Sequence, residues 1–288
     1  MTIPKTIDLH MHSTVSDGSN TPSELLDCVR QAGLELFALT DHDAYKGSLQ
    51  MIGLLQEGDP AFITGVEFSC RDREGQYHIL GYGYDPESAP IRQVVEEGHR
   101  VRMKKVLARL DFLREHFGFC FPEEDLEKLL AMDNPGKPHI GNLMVKLGYA
   151  DSIKQAIKEY IDQLHLDDEY LAPEEAIRGI LASGGIPVLA HPVYGSGDQL
   201  ILGAEMEHRL RRLMAFGLQG VEAYYSGFTG KLRTFMLDLA RRNGLYVTAG
   251  SDYHGTNKLI SLGDTGLEDA SKGPEELQRF LREVRRAR

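Results

Sequence analysis

Short runs of β-strand character alternate with amphipathic stretches of helical periodicity along most of this chain, and this alternation restricts its fold more than any other feature. There are seven such runs, several of which end in polar clusters, at positions 6–10, 36–40, 61–67, 76–80, 185–190, 218–222 and 245–249. Alternation of strands with helices favours a parallel sheet, and seven strands favour a barrel over an open sheet. We therefore predict an α/β fold with a parallel barrel at its core.

Four helices are predicted between these strands, over 21–32, 173–183, 207–216 and 230–243. The first has a defined beginning, because Thr21 suits the N-cap, Pro22 suits the first helical position and Glu24 completes a capping box. The last two are predicted to end near Gly217 and Gly244, since glycine commonly terminates a helix.

A purely helical segment, from about 99 to 171, interrupts the alternation. It contains four stretches of helical pattern, within 100–110, 122–132, 138–147 and 151–160, and no run of strand character. We predict a barrel formed by 1–98 and 172–288, with 99–171 inserted as a helical lid or substrate subdomain. A helical layer that only covers the side of the barrel is the alternative.

Histidine and carboxylate side chains lie where the predicted strands end. His10 and His12 are two residues apart, and Asp252 and His254 repeat this spacing, so each pair points to one face of an extended chain. The other candidates are Asp17, His42, Glu67, His78 and His191. In a parallel barrel the carboxyl ends of the strands form one rim, where active sites are built.

Together these nine residues predict a metal centre. One histidine on a strand is more often packed than metal-bound, and one carboxylate is usually solvated, but their joint placement at one rim favours metal binding. Nitrogen and oxygen ligands without cysteine suit manganese, iron or zinc. Nine ligands are too many for one ion and suit about three. Asp41 and Asp43 flank His42 and either orient ligands or cap the adjoining loop.

The chain resembles the PHP (polymerase and histidinol phosphatase) superfamily in motifs that follow in order: DLHMHS at 8–13, SDG at 16–18, LTDHD at 39–43, GVE at 65–67, His78, AHP at 190–192 and SDYH at 251–254. The resemblance implies the PHP fold, a distorted (β/α)7 barrel, here with a helical insertion subdomain. It also implies a trinuclear centre, whose three ions take His10, His12, Glu67 and Asp252, then Glu67, His78 and His191, then Asp17, His42 and His254. Glu67 would bridge the first two ions, which we expect to be Mn²⁺, with Fe²⁺ or Zn²⁺ as alternatives.

The insertion indicates which branch of the superfamily the chain resembles. Its GKPH element at 136–139 is similar to the branch that removes the 3′-phosphate of nucleoside 3′,5′-bisphosphates, for example adenosine 3′,5′-bisphosphate to AMP. Relatives of RNase AM in this branch also act as 5′-to-3′ exoribonucleases on short oligonucleotides. The implied mechanism is attack on phosphorus by a hydroxide that bridges the metal ions, without a further catalytic side chain.

Substrate-binding residues are less constrained by the sequence. Lys137 and His139 stand at the predicted start of a helix and are candidates for binding a second phosphate, although a solvated helix start is equally compatible. Ser226 follows the sixth strand on the same rim and is a third candidate. Tyr225 or Phe228 could stack on a base, but packing is the simpler interpretation for both.

Charge and composition limit the partners. Thirty-two basic and 43 acidic residues give a net charge of −11, which is unfavourable for binding long duplex nucleic acid. Three divalent ions would outweigh three ligand carboxylates, so the pocket still suits a small phosphorylated nucleotide or a short oligonucleotide. The chain has no signal-peptide pattern and no apolar run near the ~20 residues that span a bilayer. Cys28, Cys70 and Cys120 suit no disulfide framework. We therefore expect a cytoplasmic protein without a membrane partner, and its oligomeric state is not predicted.

Three other functions remain open at this level. Histidinol-phosphate hydrolysis occurs in the same superfamily, but the insertion and the GKPH element weigh against it. Amidohydrolase cleavage of C–N bonds also begins from a His-x-His strand, yet it typically needs a lysine at a later strand end, and no predicted strand ends in one. A non-catalytic scaffold would have lost metal ligands, whereas all nine are present.

Overall fold

Seven strands form one sheet in the order of the chain. The computed structural model describes residues 3–166, 170–195 and 199–287. Its strands are β1 (Ile7–Asp8), β2 (Leu36–Leu39), β3 (Ala61–Asp72), β4 (Gly75–Tyr82), β5 (Ile186–Leu189), β6 (Gly220–Tyr225) and β7 (Tyr246–Gly250). The sheet curls until β1 meets β7, where the amide of Leu9 donates to the carbonyl of Ala249 at 2.9 Å. The predicted α/β barrel is thus confirmed as a nearly closed seven-stranded barrel.

The prediction of a wholly parallel sheet was wrong at β4. The pairs β1–β2, β2–β3, β5–β6 and β6–β7 are parallel, but β4 is antiparallel to both β3 and β5. The reason is local, because only Arg73 and Glu74 separate β3 from β4. A two-residue connection can join antiparallel strands, whereas parallel neighbours need a crossover of a dozen or more residues.

Helices surround the barrel. They are α1 (Pro22–Gln31), α2 (Lys46–Leu54), α3 (Ala89–Phe117), α4 (Glu123–Leu130), α5 (Lys137–Lys146), α6 (Ile153–Gln155), α7 (Pro173–Ala182), α8 (Gly203–Phe216), α9 (Gly230–Asn243) and α10 (Glu275–Glu283). The four predicted between strands are confirmed as α1, α7, α8 and α9, and α1 begins with the expected capping box of Thr21 and Glu24. The pattern did not predict α2, which contains two glycines, or α10.

The helical segment has a core of its own. Val106, Leu113, Ile140 and Ile161 are buried together there, away from the main core between the strands and the outer helices. Helix α3 belongs to both parts, because Ile91 near its beginning is buried in the main core. The boundary predicted between 98 and 99 therefore falls inside one continuous helix. No helix among the described residues is long and apolar enough to cross a membrane.

Candidate metal centre

The first two predicted ligands lie at the seam where the barrel closes. Beyond β1 the chain stays extended, and the carbonyl of His10 accepts from the amide of Asp252 at 2.8 Å. The amide of His12 donates to the carbonyl of Tyr253 at 2.9 Å, so the two ligand-bearing segments lie side by side. Both imidazoles are fully buried. A side chain at Gly250 would collide with His10, since an added Cβ would lie 2.1 Å from the Cβ of His10.

Glu67, at the centre of the cluster, directs its two carboxylate oxygens to different histidines. Oε2 lies 3.2 Å from Nε2 of both His10 and His12. Those two nitrogens also lie 3.6 Å and 3.4 Å from Oδ1 of Asp252. Glu67 is 1% exposed, so its charge is shielded from solvent and must be balanced by neighbouring groups.

The other carboxylate oxygen of Glu67 faces a second group of imidazoles. Oε1 lies 2.8 Å from Nδ1 of His78 and 3.1 Å from Nε2 of His191. His42 lies on the other side of the carboxylate, where its Nδ1 is 3.3 Å from Oε2 of Glu67. His78 reaches the rim because β4 runs antiparallel to β3 and pairs His78 with Ser69, just beyond Glu67.

The carboxylate of Asp17 lies close to a third group of histidines. Its Oδ1 lies 3.3 Å from Nε2 of His254 and 3.7 Å from Nδ1 of His12, and its Oδ2 lies 3.9 Å from Nε2 of His42. The structure thus brings all nine predicted residues into one cluster. His12 is within reach of two ligand groups, one with His10 and Glu67 and one with Asp17 and His254. The assignment of each histidine to an ion stays a prediction.

Three residues at or beside the cluster adopt a backbone conformation that side chains rarely adopt. The φ angles are 45° at Asp43, 28° at His191 and 60° at Asp252. Positive φ costs energy for residues other than glycine and persists where surrounding contacts enforce it. At His191 such a contact is visible, because its amide donates to Oε2 of Glu222 at 2.8 Å.

Glu222 has no predicted role, although it ends the sixth predicted strand. It is fully buried, and its Oε1 accepts a hydrogen bond from Nδ1 of His10 at 2.9 Å. This contact orients His10 and, in the neutral imidazole that binds metal, keeps the proton on Nδ1, so that Nε2 faces Glu67 and the cluster. The signal in the sequence was the polar end of the strand, as for Glu67, but nothing separated a ligand from a residue that orients one.

The two aspartates beside His42 anchor loops. Asp41 accepts hydrogen bonds from the amide and hydroxyl of Ser13 and from the hydroxyl of Ser16, which fixes the turn that carries Asp17. The carboxylate of Asp43 accepts from the guanidinium of Arg102 on α3 at 2.6 Å. These contacts favour the loop-capping interpretation of both residues.

The pKa shifts in the cluster show that its buried carboxylates require positive charge beside them. Burial alone would raise the pKa of Glu67, but charges on His10, His42 and His78 outweigh burial and hold that pKa well below its usual range. Burial lowers the pKa of His12, but the adjacent carboxylates of Asp252 and Glu67 outweigh burial and raise it to about 9. Protons on imidazoles thus balance the carboxylates where no cation does.

The donor atoms fit metal ions. Nε2 of His12, Nδ1 of His42 and Oδ1 of Asp17 are buried and make no hydrogen bond within the part of the chain that the structure describes. Such atoms are costly unless a partner satisfies them, and all three are good ligands for divalent cations. The cluster is therefore able to bind metal.

The predicted substrate-binding residues have protein partners of their own. Lys137 forms an ion pair with Asp162, Nδ1 of His139 accepts from the amide of Gly136 at 3.0 Å, and the hydroxyl of Ser226 donates to the carbonyl of Ser251 at 2.8 Å. Tyr225 is 9% exposed and donates to Oδ2 of Asp252 at 2.9 Å. That oxygen also pairs with Lys258, a contact that the sequence did not reveal.

Comparison with known proteins agrees with this geometry. The PHP domain model matches residues 8–173. A 3′,5′-nucleoside bisphosphate phosphatase of Chromobacterium violaceum is 30% identical over 259 residues, which cover 86% of this chain and 87% of that protein. A 5′-3′ exoribonuclease of Haemophilus influenzae is 30% identical over 263 residues, covering 90% and 93%. A solved structure from Bifidobacterium adolescentis, described as a metal-dependent phosphoesterase, has a TM-score of 0.82 and 26% identity over 96% of both chains.

The barrel and its cluster of histidines and carboxylates define a hydrolase, a metal-dependent phosphoesterase. The chain belongs to the PHP family.

Proposed function

We propose that this protein removes the 3′-phosphate of nucleoside 3′,5′-bisphosphates, for example converting adenosine 3′,5′-bisphosphate to AMP. The observation that carries the proposal is the buried cluster around Glu67, in which nine histidine and carboxylate side chains lie at one rim of the barrel. Nine nitrogen and oxygen ligands suit three divalent ions, with Mn²⁺ preferred and Fe²⁺ or Zn²⁺ as alternatives. The phosphatase of Chromobacterium violaceum supports the choice of substrate.

Each part of the cluster has a role in this reaction. Bound divalent ions would acidify water at neutral pH and balance the charge of the phosphoryl oxygens. Glu67 would connect two ligand groups through its two oxygens, and Asp17 would hold the third group. Glu222 fixes the tautomer of His10, so Nε2 is presented to the cluster before any ligand arrives.

A second activity is proposed on short RNA, where the enzyme would release nucleotides from the 5′ end. The exoribonuclease of Haemophilus influenzae supports this proposal. The net charge of −11 disfavours long duplexes, so a short oligonucleotide is the expected polymer. Lys137, His139 and Ser226 remain proposed contacts for the substrate, and the cytoplasm remains the proposed location.

Metal analysis combined with phosphate release tests the proposal. Metal-replete protein would be offered adenosine 3′,5′-bisphosphate, AMP, short 5′-phosphorylated RNA, histidinol phosphate and an amide substrate. We expect about three ions per chain and a kcat/KM for the bisphosphate well above that for AMP or histidinol phosphate. A preference for histidinol phosphate or for the amide would refute the proposal, and inertness toward the whole panel would favour the scaffold function.

A further inference from the structure

A cationic pocket lies directly beside the metal centre, outside the nine-residue cluster. It has a volume of about 220 Å³ and lies between strands β3 and β4, helix α3 and the beginning of α5. His78 lines both the pocket and the metal centre, so the two sites adjoin each other. The basic side chains of the pocket are Arg102, Lys105, Arg109 and Lys137. We call it the α3 pocket.

Two of these four cations are buried and have no carboxylate partner among the described residues. Lys105 is 8% exposed and Arg109 is 7% exposed. Across residues 3–166, 170–195 and 199–287, neither forms an ion pair within 4.0 Å. Nε of Arg109 is buried without any hydrogen-bond partner among the same residues. Nζ of Lys105 lies over the ring of Tyr170, 3.6 Å from its centroid, which offsets only part of the cost of burying the charge.

The positive charge of the α3 pocket favours the binding of an anion. Among the residues that the structure describes, Arg102 is paired with Asp43 and Lys137 with Asp162, whereas Lys105 and Arg109 have no such partner. Burial and then the neighbouring charge of Arg102 lower the pKa of Lys105 to about 7, and burial also lowers the pKa of Arg109. Arg109 and the protonated form of Lys105 match a phosphate monoester, which carries about −1.5 to −2 charges at neutral pH.

Specificity for a phosphate follows from the kind of donors. The guanidinium of Arg109 presents a planar fork of N–H groups that suits two oxygens of one phosphate. Lys105, one helical turn away on the same face of α3, supplies a point charge beside it. Both side chains arise from a helix whose beginning is packed in the main core, so the barrel and the pocket keep a fixed separation.

We propose that the α3 pocket binds the phosphate that is not cleaved, with Lys105 and Arg109 as its principal donors. This proposal rests on the proposed function, because the metal centre would hold the 3′-phosphate while the pocket holds the 5′-phosphate. The helical insertion would then select substrates that carry two phosphates. The same chemistry suits the 5′-phosphate at the end of a short RNA.

Kinetics on matched substrates tests the α3 pocket. The variants are Lys105→Met and Arg109→Met, with Lys104→Met as the control because Lys104 is exposed on the same helix. The substrates are adenosine 3′,5′-bisphosphate and adenosine 3′-monophosphate, which differ only in the 5′-phosphate. We expect KM for the bisphosphate to rise at least about 30-fold in either pocket variant, since each removes one partner of a buried charge pair. Values for the monophosphate, and all values for Lys104→Met, should change less than about twofold.

The outcomes separate this proposal from the proposed function. Equal losses on both substrates, with metal content intact, would assign Lys105 and Arg109 a structural role and overturn the α3 pocket. Wild-type protein that hydrolyses neither substrate would refute the proposed function instead. In that case calorimetry with AMP on metal-replete protein still tests the pocket, and equal affinity in wild type and Lys105→Met would contradict it.

Kinetics on short RNA provides an independent test of the α3 pocket. Wild-type protein should prefer a 5′-phosphorylated trinucleotide over its 5′-hydroxyl form, and Lys105→Met should lose that preference. A preference retained in full by the variant argues against this pocket as the site of the terminal phosphate. Folding should not obscure the result, because Lys105→Met removes a buried charge and is expected to raise the melting temperature near neutral pH.

Discussion

At the scale of single residues, the centre depends on carboxylates that act in different ways. Glu67 and Asp17 direct their oxygens at imidazole nitrogens, whereas Glu222 fixes the orientation of one imidazole through its far side. The nine residues of the cluster could be picked out from the sequence, because each carries a side chain able to bind metal and lies within or close after a strand-like run. Glu222 could not be distinguished, since its role depends on a contact between positions 10 and 222 that no local pattern encodes.

Replacement of a proposed ligand should remove metal without unfolding the barrel. Asp17→Asn and His254→Ala are each expected to lose one ion per chain and to lower kcat by at least about 100-fold, because the third ligand group depends on both residues. Elemental analysis and circular dichroism would check this result. A full complement of metal in both variants would show that the ligand assignment is wrong.

Glu222→Gln should lower metal affinity and activity less than the replacement of a ligand does. The amide preserves the shape of the side chain and can still accept from His10, but it removes the negative charge that strengthens this imidazole as a ligand. We expect metal affinity or activity to fall about 10- to 100-fold, measured by metal titration and by kcat at saturating metal. Glu268→Gln, at an exposed site, is the matched control and should change neither. Normal metal affinity in Glu222→Gln would rule out the orienting role.

At the scale of elements, one short connection decides how the centre assembles. The two residues between β3 and β4 force an antiparallel pair, and this reversal brings His78 to the rim beside Glu67. The pattern of alternation predicted the strands themselves but not this direction, because hydrophobic periodicity is the same for both orientations. Helix α3 continues through the boundary that the change of pattern predicted between 98 and 99, since residues near its beginning contact the main core and later ones contact the insertion core.

The close packing of β7 against the segment after β1 predicts a strict requirement for glycine. In Gly250→Ala the added methyl would lie 2.1 Å from the Cβ of His10 and 2.5 Å from Oε1 of Glu222. We expect a loss of stability of about 3 kcal/mol or more, at the upper end for overpacking, together with loss of metal. Gly53→Ala in α2 is the control, because its added methyl meets no atom within 4 Å and a helix favours alanine. Chemical denaturation of both variants would compare them, and equal stability would contradict the steric argument.

At the scale of the whole molecule, metal and protons compete for one cluster. His12 has a raised pKa of about 9 in the metal-free protein, so its protonated form adds stability fully below the usual histidine pKa, and that contribution is lost as pH rises through about 9. Metal binding has the opposite dependence, because ligating imidazoles must be deprotonated. The gain in melting temperature on adding Mn²⁺ should therefore increase from pH 6 to pH 9. Differential scanning calorimetry would measure it, with EDTA-treated protein as the control, and a constant gain would contradict the competition.

The sequence by itself determined the class of fold and the residues of the candidate metal cluster, because both depend on local patterns, in which strand-like runs contain or are followed by histidine or carboxylate residues. Only the tertiary structure decided which of those side chains share Glu67, how β4 runs, and which basic residues of α3 are buried. The pattern of residues 100–110 predicted a helix, but such a pattern does not indicate which basic side chains are buried. The proposed site at Lys105 and Arg109 exists only because β3, β4 and α5 enclose these side chains, since burial and pairing depend on distances between segments far apart in the chain.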